Sequence, residues 1–493
     1  MIDGMKRNRK IILGVLVVSV AFIGIFVFLF GEANHDIVLR DDGFYPKKFA
    51  ITSGDSVIFL NKSSHAFWPA SDNHPDHTMY EGFDVGRPLN PGETWTFTFE
   101  KDGVWWFHDH LRPYFRGRVV VGDVNENVTC LSNIESTNLA EKQACWEREL
   151  ANTLEENGAS KAFKLFSELY SSDSDFSVVG CHWMAHKLGE AEYGRYLQHR
   201  DFSKLDFPPE TVYCGYGYYH GFLEHFLRDN PDYTVAQNFC QTLIRDLEDE
   251  VPRIRLNCYH AIGHGFVPEP LDIEVWGNPV KLVSPALAAC QNIQEADARH
   301  ECLQGTFNVI ADWMWNNQFG LYYPEDTPLE ICELFDDYEV SSACYYEVAM
   351  RLNPSVDNNI VRAYNKYISQ IPDTLIAGTV LNSFAASAVG QRILESDFSD
   401  LVYDCRTVPT YLQTDCMKGL TGAFIAHGEP EKEYVKALDF CNMDILTEGE
   451  QDVCYWNIIR TFKGAYTSDK VGQICMKVPE SYKKYCSYDI VYQ

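Results

Sequence analysis

The residues most able to do chemistry in the first part of the chain are His108 and His110, which stand one residue apart in the sequence WWFHDHLRP at 105–113. Aromatic residues precede the pair, and the strand-like stretch 117–121 follows it. Residues two apart on a strand share a face, so both rings can reach one metal ion. The nearest cysteine is Cys130, outside this stretch. A metal here would therefore be held by nitrogen and oxygen.

An earlier histidine supplies the third predicted ligand. His65 follows the predicted strand 57–60, at the same end of a sheet as His108 and His110, so we expect the three imidazoles to converge on one ion. Three imidazoles suit Cu(II), and also Zn(II) or Fe(II). Further ligands or orienting carboxylates are expected at His74, His77, Asp76 and Asp109. The alternative is that these are polar surface groups of a domain that has lost its metal.

The segment 36–122, which must position these residues, has the pattern of short strands joined by polar turns. Apolar and polar residues alternate at 95–99, as a half-buried strand requires. Strands are predicted at 37–39, 49–51, 57–60, 95–99, 103–107 and 118–121. So many short strands in one segment indicate an all-β sandwich.

The order of these features resembles the cupredoxin family across the whole segment. The shared pattern is a Gly54-Asp55-Ser56-Val57 turn, a stretch from Asn61 to His65, a Pro91-Gly92 turn, the aromatic strand 103–107, and the strand 117–121. The resemblance implies a cupredoxin-like fold and copper. It departs at the ligands, because Phe115 stands where the family has methionine and His108 stands near the cysteine position. The expected centre therefore lacks the blue-copper thiolate.

Residues 125–493 change to Leu, Ala, Glu and Tyr in helical periodicity and are predicted to form an all-α, Cys-rich repeat domain. All 16 cysteines lie at or after Cys130, which is typical of an oxidising compartment. Pairing of sequence neighbours predicts eight disulfides: Cys130–Cys145, Cys181–Cys214, Cys240–Cys258, Cys290–Cys302, Cys332–Cys344, Cys405–Cys416, Cys441–Cys454 and Cys475–Cys486.

The cysteine pairs recur at regular steps. From Cys290 onward, the first members of successive pairs are separated by 42, 73, 36 and 34 residues, and the step of 73 is about two steps of 36. One copy, around 374–390, is therefore predicted to have lost its cysteines. This period is typical of stacked helical hairpins that bury their apolar faces on one another.

A second group of histidines lies in the early repeats. Two pairs, His182/His186 and His260/His264, have the spacing of one helical turn, and so do His220 and Glu224, so the members of each pair share a face. If the three helices pack together, these six side chains predict a pocket for metal binding or acid–base chemistry. The alternative is that the histidines pack and hydrogen-bond inside a crowded helix junction.

The N-terminal sequence predicts how the chain is placed across a membrane. Residues 1–10 are basic, and the uncharged run 11–30 is long enough for a transmembrane helix. The positive-inside rule places the N-terminus in the cytoplasm and the rest outside, as a single-pass protein of the cell membrane. The net charge of −29 argues against nucleic-acid binding.

Three functions remain open from the sequence. The first is a membrane-anchored, extracytoplasmic copper-binding protein that uses histidine ligands for redox work, copper handling or sensing. The second is a metalloenzyme with its centre in the helical repeats. The third is a surface scaffold whose repeats bind another protein. The sequence does not decide whether the chain is an enzyme.

Overall fold

The described residues form two compact units, divided between Thr129 and Cys130. In this computed structural model the described ranges are 35–72, 77, 79–123, 139–267, 273–352 and 355–487. The first unit is a β-sandwich and the second is all-helical.

The sandwich consists of two four-stranded sheets, with strand orders β2-β1-β4-β6 and β3-β8-β7-β5. Strands β1 and β4 pair in parallel, as do β3 and β8, and the other pairs are antiparallel. The strands are β1 His35–Arg40, β2 Gly43–Tyr45, β3 Lys48–Ile51, β4 Ser56–Asn61, β5 Pro69–Ser71, β6 Thr94–Thr98, β7 Gly103–Asp109 and β8 Arg112–Val121.

Aromatic rings fill the space between the two sheets. Phe59 on β4 lies against Phe107 on β7, with ring centroids 5.3 Å apart, and Phe44 reaches the same ring at 4.8 Å. All three side chains are fully buried. Such edge-on aromatic pairs stabilise beyond their buried area, and they fix β7, the strand that ends in His108 and Asp109.

The helical unit contains sixteen α-helices within its described residues. They are α1 Leu139–Asn157, α2 Ala159–Ser172, α3 Cys181–His199, α4 Gly217–Asp229, α5 Tyr233–Leu247, α6 Ile254–Gly265, α7 Pro279–Cys290, α8 Ala296–Trp315, α9 Tyr338–Ala349, α10 Ile360–Lys366, α11 Thr374–Gln391, α12 Ser399–Thr407, α13 Thr410–His427, α14 Glu433–Cys441, α15 Glu448–Ala465 and α16 Ser468–Cys475. A π-helix, Phe176–Gly180, leads into α3, and 3₁₀ turns occupy Phe202–Lys204, Pro209–Val212, Ile273–Val275, Glu330–Leu334, Ile368–Gln370 and Glu480–Cys486.

Eight of these helices pack one after another in a single row: α3, α4, α6, α8, α9, α11, α13 and α15. Glycines let the backbones approach closely. A Cβ at Gly221 of α4 would lie 2.0 Å from the His186 carbonyl oxygen of α3, and a Cβ at Gly263 of α6 would lie 1.9 Å from the Cys302 oxygen of α8. Only glycine fits at such contacts. The helix α11, at the predicted cysteine-free copy, packs between α9 and α13.

Seven disulfides have both cysteines within the described residues, and they join the cysteines that sequence spacing pairs. They are Cys181–Cys214, Cys240–Cys258, Cys290–Cys302, Cys332–Cys344, Cys405–Cys416, Cys441–Cys454 and Cys475–Cys486. Cys145 is also disulfide-bonded, while its predicted partner Cys130 lies outside the described residues. Bridges in this number are typical of an oxidising compartment.

The prediction of a transmembrane helix is wrong. The predicted fold class, membrane attachment and single-pass localisation all included this helix and are corrected with it. In the described ranges, no helix combines the length and the apolar character needed to cross a bilayer. The longest, α8, has 20 residues but carries Asp297, Glu301 and Asp312 along its length, and charges are costly in lipid. The stretches 1–10 and 11–30 lie outside the described residues. The fold class is a small β region followed by an all-helical unit.

Candidate metal centres

The sandwich brings three imidazoles together at one end of β7. His108 is on the strand, His110 follows it in the turn to β8, and His77 comes from the loop after β5. One ligand nitrogen of each lies within 4.8 Å of the others. His110 Nδ1 and His77 Nε2 are 3.1 Å apart. Two nitrogens that share a tetrahedral ion at about 2.0 Å stand roughly 3.3 Å apart, so this pair already has nearly that separation.

Carboxylates orient two of these rings from behind. His108 Nδ1–H donates to Asp72 Oδ1 at 2.9 Å, and His77 Nδ1–H donates to Asp84 Oδ2 at 2.7 Å. A carboxylate on Nδ1 leaves Nε2 for a metal and fixes the ring. Asp84 is itself held by the Trp68 indole N–H, at 2.6 Å. The sequence did not single out Asp72 or Asp84, since acids in loops are common.

Burial favours the neutral form of two sandwich imidazoles, His77 and His110, because it lowers the pKa of each ring. Burial, with the neighbouring His77 and His108, lowers the pKa of His110 to about 4. Burial also lowers the pKa of His77, although its hydrogen bond to Asp84 acts in the opposite direction. Neutral imidazole is the form that binds metals.

The other predicted sandwich ligands have different fates. His65 is exposed and is not a member of this group, because its loop is held through its backbone carbonyl by Asn61 and Ser63 instead. Asp109 is fully buried, and its carboxylate accepts the Trp68 N–H at 2.8 Å and pairs with Arg112 at 3.3 Å. It therefore holds the turn. His74 and Asp76 lie outside the described residues.

The helical unit brings together a second set of three imidazoles. His220 of α4 lies against His260 and His264 of α6, with ring centroids 4.9 and 4.4 Å away. Ligand nitrogens of the three lie within 4.8 Å of one another. Burial, followed by the neighbouring imidazoles, holds the pKa of His220 and of His264 well below the usual range.

The remaining predicted helical residues surround this set. His186 Nε2 lies 3.0 Å from Glu224 Oε2; burial opposes ionisation, but the hydrogen bond from His186 lowers the pKa of Glu224 to about 2. The His182 ring is 5.3 Å from that of His220, and its Nδ1–H donates to the Cys214 carbonyl. Sequence reasoning missed Glu301 of α8, whose Oε2 is 3.7 Å from His260 Nδ1.

A cavity of about 720 Å³ is lined in part by helices of this row. Its walls include the 214–216 turn, Arg253, and residues of α11, α13 and α15. Early and late segments of the helical unit meet here: Tyr170 of α2 donates to the His427 carbonyl at 2.9 Å, and Tyr213 donates to Glu431 at 3.3 Å. The volume is in the range of small-molecule sites.

Solved structures with some likeness to the chain are cupredoxins. A purple cupredoxin from Nitrosopumilus maritimus is 22% identical, with a TM-score of 0.17, over 18% of this chain and 100% of that one. A Cu(I) form of an amicyanin mutant is 16% identical, with a TM-score of 0.17, over 19% of this chain and 85% of that one. No protein-family model and no curated protein matches the chain. The helical unit therefore has no assigned family.

Proposed function

We propose that the β-sandwich is a copper-binding unit in which His77, His108 and His110 hold the ion through nitrogen alone. The observation that carries this proposal is the convergence of the three ring nitrogens within 4.8 Å. His77 replaces His65, which was the third ligand expected from the sequence. The sandwich would serve redox work, copper handling or sensing.

The donor set supports copper by its chemistry. Nitrogen sites bind divalent first-row metals in an order that peaks at Cu(II), above Zn(II) and Fe(II). The carboxylates of Asp72 and Asp84 stand on the far nitrogens of His108 and His77, where they raise the basicity of the ligands. These features together favour a tight site, with zinc or iron as weaker competitors.

The absence of cysteine from the sandwich sets the expected spectroscopy. No cysteine occurs in the sequence before Cys130, and Phe115, at the family's methionine position, is buried against Phe67. A copper ion held only by imidazoles has no intense thiolate-to-copper absorption. Electron transfer of the blue-copper kind is therefore not part of the proposal.

Copper loading of the full chain tests the proposal. We expect about one Cu(II) per chain in the sandwich, with nitrogen hyperfine structure in the electron paramagnetic resonance spectrum and no intense visible band. The variant His108→Ala/His110→Ala should lose this signal. The matched control is His65→Ala, since it removes an exposed histidine of the same unit.

Two results would contradict the proposal. One is an unchanged copper signal in His108→Ala/His110→Ala, provided that circular dichroism shows the variant to be folded. The other is loss of the signal in His65→Ala, which would return the third ligand to the position expected from sequence.

A further inference from the structure

Buried imidazole nitrogens in the helical unit have no hydrogen-bond partner among the described residues. They include both ring nitrogens of His220 and Nε2 of His264. These side chains belong to residues only 4% and 5% exposed. A buried histidine that serves packing alone normally has at least one nitrogen bonded, because an unsatisfied buried polar group costs about 1–3 kcal/mol.

A divalent cation would satisfy one ring nitrogen of His220 together with Nε2 of His264. His260 and His264 are one helical turn apart on α6, and His220 reaches them from α4. Two histidines at this spacing, with a third ligand from another element, make a zinc-type site with three protein ligands and an open position. The ring nitrogens are already within 4.8 Å of one another.

We propose that the helical unit holds a metal site of its own, in which His220, His260 and His264 bind a divalent cation of the zinc class. Structural packing alone does not explain why His220, on the crowded face of α4, has no partner for either nitrogen in the described residues.

Two nearby carboxylates, those of Glu301 and Glu224, would support a cation bound at this site. Glu301 of α8 faces His260 Nδ1 at 3.7 Å and is held from the other side by Arg253, at 3.0 Å. A carboxylate behind a ligand ring fixes its orientation and raises its affinity. Glu224 lies one turn after His220 on α4 and brings a second negative charge to the same neighbourhood, which favours a cation over a neutral ligand.

The site lies beside the cavity. Cys214 and Arg253 are cavity walls, and each contacts a residue next to the histidines: Cys214 accepts from His182, and Arg253 pairs with Glu301. The His182 side chain is exposed, and its ring is 5.3 Å from that of His220. An ion in this place would be within one layer of side chains of a space that can hold a small molecule.

The experiment uses the full chain with the sandwich site removed by His108→Ala/His110→Ala. After loading with Zn(II) and dialysis, we expect about one zinc per chain, and Co(II) in its place should give the ligand-field absorption of a tetrahedral site. Adding either His220→Ala or His264→Ala to this background should abolish both the bound zinc and the Co(II) absorption. The control is His300→Ala on α8, a histidine of the same unit that is outside the group.

Folding is checked by circular dichroism, and His260→Ala, which removes the partly exposed ligand, is the variant kept for the case in which the buried ones unfold. A folded chain that retains no zinc, or a zinc content unaffected by removal of these histidines, overturns the proposal. The copper proposal is tested separately, because copper is measured in the chain that keeps His108 and His110. The zinc experiment uses the variant that lacks them, so either proposal can fail without the other.

Discussion

The sandwich and the helical unit each bring three imidazoles together, but they hold them by different means. In the sandwich, Asp72 and Asp84 bind the far nitrogens of His108 and His77. In the helical unit, the ring nitrogens of His220 lack hydrogen bonds within the described residues, and the rings are placed by helices that touch at glycine. One set is oriented by hydrogen bonds and the other by backbone spacing.

This difference predicts which substitutions should most reduce metal binding by each set of imidazoles. A site oriented by carboxylates should lose affinity when a carboxylate is changed, while its scaffold remains folded. A site placed by close helix contacts should be lost when the helices are forced apart, because a packed interior has no room to absorb the shift. Four predictions test this comparison, and two of them include a control variant.

The largest effect is expected from Gly263→Ala. The new Cβ would lie 1.9 Å from the Cys302 carbonyl oxygen and push α6, which carries His260 and His264, away from α8. We expect a loss of about 3 kcal/mol or more in the free energy of unfolding, and loss of zinc from the helical unit. Denaturant titration and zinc analysis measure these, and copper in the sandwich should be unchanged.

The control for this variant is Gly472→Ala on α16, where a Cβ would meet nothing within 4 Å. It should be neutral or stabilising by up to about 1 kcal/mol, because alanine favours a helix over glycine. Equal stability of the two variants would sink the idea that glycine spacing places the helical histidines.

The next effect is expected from Asp72→Asn. This change weakens the hold on His108 Nδ1, which lies 2.9 Å from Asp72 Oδ1, so copper affinity should fall about 10- to 100-fold. Competition with a chelator of known affinity measures it. Asp42→Asn removes the same charge from an exposed residue of the sandwich, and an equal fall in that variant would show a general charge effect instead.

A smaller effect concerns pH and the helical unit alone. Burial raises the pKa of Glu433 from 4.5 to about 7. The folded state therefore binds this proton more tightly, so the stabilisation is present below about pH 4.5 and is lost as the pH rises to about 7. The loss is on the order of 1 kcal/mol after allowance for partial exposure.

Denaturant titrations near pH 5 and pH 8, with metals removed by a chelator, measure this loss. Glu433→Gln should remove the pH dependence that is due to this group, because glutamine does not titrate. If the stability of Glu433→Gln changes with pH as much as that of the parent chain, other groups cause the pH dependence.

The smallest effect is expected from His186→Ala. This residue pairs with Glu224 at 3.0 Å but is not one of the three converging imidazoles. Zinc affinity in the helical unit should fall by about fivefold or less, the usual range for a partly exposed ion pair. Isothermal titration gives the value, and complete loss of zinc would make His186 a ligand.

Much of the fold could be predicted from local patterns. The predicted strand at 57–60 lies within β4, because its apolar residues alternate, and Val57 and Phe59 are buried on one side. The cysteine spacing likewise paired neighbours that the bridges join. The short strands β2 and β5 were missed, since three residues in a row carry too little periodicity to be recognised.

The candidate sites were harder to predict than the strands. His108 and His110 were found because their spacing is local, but His65 was preferred over His77 since it follows a strand. His77 has a left-handed backbone, with φ of 51°, in a loop whose course depends on contacts with Ser71. In the same way, Glu301 reaches His260 from another helix. Contacts made between distant segments leave no periodic pattern in sequence.

The contact between Tyr170 and the His427 carbonyl has a consequence for how this chain can change length. An open array of repeats can gain or lose a copy at little cost, because each repeat touches only its neighbours. In this chain an early helix also touches a late one, so an added or deleted hairpin between them would pull that contact apart. Duplication should be tolerated only beyond the contact, and the number of repeats around the cavity should stay fixed.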